Sequence, residues 1–441
     1  CKAYREWSHR TKCFPLMVNL LEGCSSHPLT LLMHYYPHSP MKKVLLYLFT
    51  LLLLPYHLAA QATADSLTAP LRFIKANDVI TWSYHGTDFR EQALEVCPQA
   101  KHDSLVVNQE IWNNRQQYVD SCNNVLKELN VVGGGDNECT DKQGFPAWVG
   151  SLSAAAGFLL TGEATYMDII ERSLYNAVAH SLADSTLKTD PLDLVAVAHF
   201  LMNIPTYLYA TSDSGKDLYV NLYTNATANL SVGNDQFTLD QITDMPRTNQ
   251  VKLRLTKLDQ ETTLRVHLRI PDWAIGRNNP HARFTYVPQP EQTHRKVSSE
   301  ESNEVEIYIN GHRWTRTKVN AAGYVVIDRR WKSRDEIFIT FPKSFRYLRQ
   351  TNAKGQPVRG ALAGQYGPIV YTVKNFPRDH YSSSNLLPSM APESAEREFP
   401  LFMLPTFLRS APQDAKAPRT DLPALPYAEV QDGNVWWNEI K

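Results

Sequence analysis

The spacing of apolar residues changes once along the chain, near Lys216, and this change most constrains the fold. Before it, apolar residues recur every three or four positions, as in amphipathic helices. These helical segments are Gln109–Leu129, Trp148–Leu160, Tyr166–Leu182 and Leu194–Leu208. After Lys216, apolar and polar residues alternate in short runs bounded by Asn, Asp, Gly or Pro, as in half-buried strands. We therefore predict an α+β multidomain protein whose helices precede antiparallel strands.

Two turn signals support this division. Thr161-Gly162-Glu163 ends one helix with a glycine and opens the next, which predicts an αα-hairpin. Asn310-Gly311 follows an apolar run and predicts a β-hairpin, since both residues tolerate positive φ. Several short strands at this spacing predict an antiparallel β-sandwich.

The N-terminal region carries an export signal rather than a folded segment. Lys42 and Lys43 follow Met41, then come an apolar run too short to span a bilayer and a small-x-small end at Ala62. We predict a signal peptide over residues 41–62, a secreted or periplasmic protein and no stable membrane anchor. Residues 1–40 are rich in His, Cys and Pro without periodicity, which indicates disordered upstream translation.

The remaining chain divides into three predicted parts. These are an α-helical hairpin domain over 65–210, a β-sandwich domain over 215–375 and an extended C-terminal tail over 376–441 with a final strand. The stretch 382–419 is rich in Pro, Ser and Ala, a composition typical of poorly packed segments. Lys and Arg total 45 against 45 Asp and Glu, so no basic excess indicates a nucleic-acid partner.

Only Cys97, Cys122 and Cys139 follow the predicted cleavage point, which allows at most one internal disulfide. The sequence contains neither a CxxC nor an HExxH motif. No local motif therefore identifies a metal or another cofactor. This does not exclude a metal site built from ligands that are distant in sequence.

Three phrases and the strand run identify a family resemblance. The phrases are FREQALEV (89–96), TGEATYMDIIERSLYNAV (161–178) and YLYATSDSGKDLYVNLY (207–223), and the strand run extends from Arg265 to Tyr371. Together they resemble the β-L-arabinofuranosidase type of glycoside hydrolase, family 127, in which an α/α toroid of six helical hairpins precedes a β-sandwich.

The resemblance implies only a partial α/α toroid here, because residues 66–210 supply about half of the helices in such a ring. A half ring would expose its apolar inner wall to water. N-terminal deletion, repacking of the segment, or pairing with another chain as a homo-oligomer are the open explanations.

The resemblance also implies a zinc-bound cysteine thiolate, held by a Glu-x-Cys pair and a Cys-Cys pair. Zinc coordination keeps such a sulfur ionised at neutral pH. Gapless alignment from Tyr166 places the first pair on Gln143-Gly144-Phe145, and alignment from Tyr207 places the second near Leu192-Asp193. Neither position contains a cysteine, so zinc is expected for the family but its ligands are not found here.

The candidate site residues lie in two places. The resemblance implies an acid/base glutamate after a Gly-Gly turn, so in GGGDNEC, residues 133–139, Glu138 is the candidate proton donor and Cys139 the candidate nucleophile or displaced ligand. Asp136 and Asp141 stand nearby as carboxylates for conventional hydrolysis, and a polar surface turn is the alternative. His85 resembles a sugar-contacting histidine of the family after a one-residue shift, and Trp82 is suited to line a sugar site. A structural hydrogen bond and core packing are the alternatives for these two.

The helix that carries Asp168, Glu171 and Arg172 places them on one face, which predicts a local ion-pair network rather than catalysis. Two functions follow from the whole sequence. The first is a secreted glycoside hydrolase-like protein that acts on, or derives from enzymes that act on, arabinofuranose-containing glycans. The second is an inactive sugar-binding or scaffold relative. A truncated gene product, without a function of its own, is a further explanation of the sequence. A glycan is the expected partner in the first two.

Overall fold

The structure is a computed structural model that describes residues 67–434 with gaps. The gaps are 76–78, 85–86, 99, 101, 104, 130–143, 184–190, 289–303, 353–354, 375–380, 384–387, 392–393, 395–396, 409–418 and 431–432. The predicted signal peptide and the upstream segment 1–40 lie outside the described residues. No helix in the described part of the chain has the length and apolar character needed to cross a membrane.

Helices occupy most of the region between Phe89 and Tyr207. They are α1 (Phe89–Val96), α2 (Gln109–Asn113), α3 (Arg115–Glu128), α4 (Gly144–Thr161), α5 (Ala164–Ser173), α6 (Ala179–Ala183) and α7 (Pro191–Tyr207), and a short α8 (Asp272–Ile275) follows later. A π-helical turn, Leu174–Val178, joins α5 to α6. The four helical segments predicted from apolar spacing coincide with α2–α3, α4, α5–α6 and α7.

The strands are β1 (Arg72–Phe73), β2 (Val79–Tyr84), β3 (Thr87–Asp88), β4 (Tyr209–Thr211), β5 (Asp217–Val220), β6 (Asn225–Val232), β7 (Asp235–Thr243), β8 (Gln250–Thr256), β9 (Thr262–Arg269), β10 (Phe284–Tyr286), β11 (Glu306–Ile309), β12 (His312–Arg313), β13 (Tyr324–Trp331), β14 (Glu336–Thr340), β15 (Phe345–Thr351), β16 (Pro357–Tyr366), β17 (Ile369–Lys374), β18 (Tyr381–Ser383), β19 (Ser389–Met390), β20 (Phe402–Leu408), β21 (Arg419–Pro426) and β22 (Gly433–Asn434). The predicted Asn310-Gly311 turn joins β11 to β12, and both of its residues have positive φ, 50° and 79°.

The described strands form three sheets. The five-stranded sheet has the order β1-β4-β5-β9-β13, and the eight-stranded sheet has the order β12-β11-β14-β8-β7-β6-β2-β3. The nine-stranded sheet follows β10-β15-β16-β17-β21-β20-β18, with β19 on β20 and β22 on β17. All the pairs are antiparallel except β5 with β9, which run parallel. The fold is thus a mixture of helices and several sheets.

The prediction of helix throughout 66–210 is wrong at its start, where three strands precede α1. β1 pairs with β4, and β2 pairs with β6. The sequence of β2, VITWSY, is rich in β-branched and aromatic residues and too short to show a helical period. Helix begins only after Asp88, whose side chain accepts a hydrogen bond from the Arg90 backbone N–H at 2.7 Å.

The prediction of a poorly packed stretch over 382–419 is also wrong where the structure describes it. β20 pairs with β21 from Phe402 to Phe407, and this hairpin extends the nine-stranded sheet. The Phe402 ring packs 4.8 Å from Phe345 and 5.2 Å from Tyr371, centroid to centroid. A few large apolar side chains therefore bind this segment to the core despite its Pro-rich composition.

The helical region buries the apolar wall that a half ring would expose. α4 is apolar on all sides, and such a helix requires cover on every face. It packs against α3, α5 and α7, and a Cβ at Gly157 would overlap the ring of Tyr166. Ala93, Cys97 and Ala100 join the same core from the chain before α2. Within the described residues these helices cover one another, and N-terminal deletion, repacking and pairing with another chain stay untested predictions.

Candidate functional site

Neither member of the predicted catalytic pair is among the described residues. Glu138 and Cys139 lie in the gap 130–143, and His85 lies in the gap 85–86, so their roles stay predictions. Trp82 belongs to β2 and pairs with Ala226 of β6, but its side chain is not among those described. The other two cysteines, Cys97 and Cys122, are buried and free.

The positions aligned with the expected zinc ligands do not fit a zinc site. Gly144 begins α4, and Asp193 lies in the first turn of α7, where its carboxylate accepts a hydrogen bond from the Ser181 hydroxyl at 3.3 Å. Zinc sites require about four convergent Cys, His or carboxylate ligands. In the described ranges, no group of three or more such side chains is arranged to hold a metal ion. No catalytic step is therefore assigned to zinc.

A buried carboxylate, Asp103, connects α4 with α7. The Asp103 backbone N–H donates to Asn203 Oδ1 at 2.7 Å, and Asn203 Nδ2 donates to Asp103 Oδ2 at 2.6 Å. Trp148 Nε1 donates to the same oxygen at 3.3 Å, and the Trp148 ring lies 5.1 Å from that of His199. Since this carboxylate already accepts several protein hydrogen bonds, its arrangement suits cross-linking of helices rather than proton transfer.

Among the described residues, a group of buried charges joins α5 to the end of β9 and the residues that follow it. Arg269 binds Asp168 at 2.5 Å and Glu171 at 2.5 Å, and Arg277 binds Asp168 at 2.8 Å. Arg172 binds Asp272 at 2.7 Å. We call these six residues the junction cluster.

The junction cluster corrects the prediction of a purely local network on α5. The carboxylates of Asp168 and Glu171 are fully buried against β9, where the guanidinium of Arg269 reaches both of them. A buried carboxylate requires a close opposite charge, whereas a pair along an exposed helix face does not. Burial and the neighbouring Asp272 raise the pKa of Asp168 to about 6. The cluster joins helices to sheets, and its six members have one another as partners.

The π-helical turn presents a second junction contact, Asn176. Its Nδ2 donates to the backbone oxygens of Arg172 at 2.8 Å and Pro368 at 2.9 Å, and its Oδ1 accepts from the Val370 N–H at 2.7 Å. Asn176 is fully buried. The turn between β16 and β17 is thereby fixed to the helical part. π-Helical turns often mark functional positions, and here the turn supports docking of this hairpin.

Asp217, at the start of β5, accepts hydrogen bonds from two segments, the turn that precedes β5 and strand β9. Its carboxylate accepts from Arg265 at 2.6 Å, from Ser212 at 2.6 Å, from Ser214 at 2.8 Å and from His267 Nε2 at 2.9 Å. Burial alone would raise the pKa of Asp217, but the hydrogen bonds from His267, Arg265 and the two serines hold it well below its usual range. The serine and histidine both bind the carboxylate rather than each other, so this is not a catalytic triad.

Stability should therefore depend on pH through Asp217. Because its pKa is lower in the folded protein than in the unfolded chain, its contribution is present above about pH 4 and is lost as the pH falls further. We expect the urea midpoint of the wild type to fall more steeply between pH 5 and pH 3 than that of Asp217→Asn. At pH 7 the variant should lose about 2 kcal/mol.

The matched control is Asp213→Asn, since Asp213 forms only an exposed ion pair with Arg72, with 53% and 68% of the two side chains exposed. Its midpoint should follow the wild type across this range. Parallel curves for the wild type and Asp217→Asn would contradict the assignment.

Comparison with known proteins gives one sequence match and several fold matches. Residues 217–343 match the family model of the β-L-arabinofuranosidase GH127 middle domain. No curated protein matches the chain. A solved GH127 β-arabinofuranosidase is similar with a TM-score of 0.53 and 23% identity, over 69% of this chain and 50% of that one.

A GH127 β-L-arabinofuranosidase from Geobacillus stearothermophilus T6 is similar with a TM-score of 0.52 and 17% identity, over 74% of this chain and 59% of that one. At these identities the likeness shows a shared fold. The chain spans about half to three fifths of the length of these two enzymes. The matched middle region contains Arg269, Asp272 and Arg277, so half of the junction cluster belongs to it.

Proposed function

We propose that the chain is a GH127-type protein, namely a secreted, glycoside hydrolase-like protein for arabinofuranose-containing glycans, or a descendant of such enzymes. The match of residues 217–343 to the GH127 middle domain carries the proposal. The helical part is then the segment of an α/α toroid that contacts a β-sandwich, and the junction cluster fixes the two together.

Hydrolysis of a glycoside requires a proton donor for the leaving oxygen and, for retention, a nucleophile on the opposite face of the sugar. In this proposal Glu138 donates the proton, and Cys139 or an acidic neighbour such as Asp136 or Asp141 attacks the anomeric carbon. Trp82 and His85 contact the sugar. The glycan is the partner, and neither a nucleic acid nor a membrane is involved.

The test is release of arabinose from an aryl β-L-arabinofuranoside. Glu138→Gln keeps the side-chain shape but removes the proton, so kcat/KM should fall by about a hundredfold or more. Glu110→Gln, on the exposed side of α2, is the control and should retain the wild-type value. Wild-type turnover that survives unchanged in Glu138→Gln would remove the assignment.

The absence of cysteine at both aligned ligand positions favours a second candidate, a non-catalytic glycan-binding protein. Titration calorimetry with an arabinose oligosaccharide distinguishes the two. Binding heat that saturates at a defined stoichiometry, without release of arabinose, supports a protein that binds the glycan but does not hydrolyse it. Release that depends on Glu138 supports the enzyme.

A further inference from the structure

Arg172 is a buried cation with unused hydrogen-bonding capacity. Its side chain is 2% exposed. Nη2 donates to Asp272 Oδ1 at 2.9 Å and Oδ2 at 2.7 Å and lies 3.5 Å from the Tyr286 hydroxyl. Nε and Nη1, which carry three N–H bonds, have no acceptor in the described part of the chain. Buried donors of this kind are normally satisfied by an ordered water or an ion.

A second donor without an acceptor is next to it. Gln365 is 1% exposed, and its Oε1 lies 3.0 Å from the Tyr286 hydroxyl, the same hydroxyl that Arg172 approaches. The Nε2 of Gln365 has no acceptor among the described residues. Rotation of this amide would supply at most one acceptor oxygen, whereas three N–H bonds of Arg172 lack an acceptor among the described residues. The Phe284 ring covers one face of the guanidinium at 4.7 Å, so an acceptor must approach at the edge.

The local charge favours an anion over water. Within the described residues, four guanidinium groups and three carboxylates meet at this junction. The fourth cation, Arg346, donates to the backbone oxygens of Trp273 at 2.8 Å and Ala274 at 3.1 Å. Burial lowers the pKa of Arg346, as expected for a cation with incomplete compensation. A water would satisfy N–H groups, whereas a monovalent anion would also balance the charge.

We propose that Arg172 of α5 and Gln365 of β16, which both approach the Tyr286 hydroxyl of β10, bind a small monovalent inorganic anion of the chloride type. The bound anion would therefore hold the helical part against the nine-stranded sheet. Its binding does not depend on hydrolytic activity.

The direct test uses bromide as the probe. Crystals grown in bromide should show an anomalous peak within about 3.5 Å of Arg172 nitrogens and of the Gln365 amide. In solution, replacement of gluconate by chloride at constant ionic strength should raise the wild-type Tm by about 2–4 °C, because the anion binds only the folded protein.

Gln365→Glu supplies a covalent negative charge at the same place, so its Tm should lose the chloride dependence. Lys252→Met is the control, since this cation pairs with Glu336 at 3.0 Å in the eight-stranded sheet. It should retain the wild-type chloride response. A wild-type Tm that is the same in both salts, with no bromide peak at Arg172, would overturn the proposal and assign these N–H groups to water or to a rotated Gln365 amide.

Discussion

Replacement of Arg269 by methionine should lower the free energy of unfolding by about 3–5 kcal/mol, because it leaves two buried carboxylates without their shared partner. Arg269 is fully buried, and its guanidinium binds both Asp168 and Glu171. Methionine occupies a similar length without the charge. Urea unfolding at pH 7, followed by far-UV circular dichroism, measures the change.

Arg330→Met, on the neighbouring strand β13 of the same sheet, provides the matched control. Arg330 pairs with Glu261 at 3.0 Å, but 71% and 50% of the two side chains are exposed. Its replacement should change the free energy of unfolding by less than about 0.5 kcal/mol. An Arg269→Met protein as stable as this control would show that the junction cluster contributes nothing to stability.

Replacement of Asn176 by leucine should cost about 3 kcal/mol, since it keeps the branched shape but leaves the Val370 N–H and the Pro368 oxygen buried without partners. The defect is local to the hairpin of β16 and β17. Hydrogen exchange at the Val370 amide should therefore accelerate more than exchange within α4. Thermal unfolding measures the global loss.

Asn229→Leu serves as the comparison, because Asn229 is an exposed residue of β6 that accepts a hydrogen bond from Thr238 Oγ1 at 2.9 Å. We expect a change below about 1 kcal/mol. Equal losses in the two variants, or no faster exchange at Val370, would contradict the role given to Asn176.

Periodicity predicted most of the regular elements, because the faces that an element buries determine the spacing of its apolar residues. α4 and α7 are apolar on nearly every face and are buried on nearly every face. β8 and β9 alternate in sequence and in exposure. The match to a GH127 middle domain agrees with the resemblance drawn from the strand run that begins at Arg265.

Periodicity does not identify which residues distant in sequence contact one another. In β9, alternation places Arg269 on the same side as the exposed Arg265, yet Arg269 is fully buried because α5 covers that end of the strand. The sequence places the acidic residues Asp168 and Glu171 on one helix face, but it does not identify their basic partners. A charged residue followed closely by Pro271 and Asp272 at a strand end was the available signal. The candidate pair Glu138 and Cys139 rests on resemblance alone.

The strands that precede α1 affect how the chain must be made. β1 and β2 lie in two different sheets. Apart from the two-residue β3, which pairs with β2, the other strands of these two sheets are synthesised only after all the helices up to α7. While the ribosome makes those helices, β1 has no strand partner and β2 keeps one open edge, a condition that favours aggregation. We infer that these two edges are closed only when β4 and β6 emerge and pair with β1 and β2.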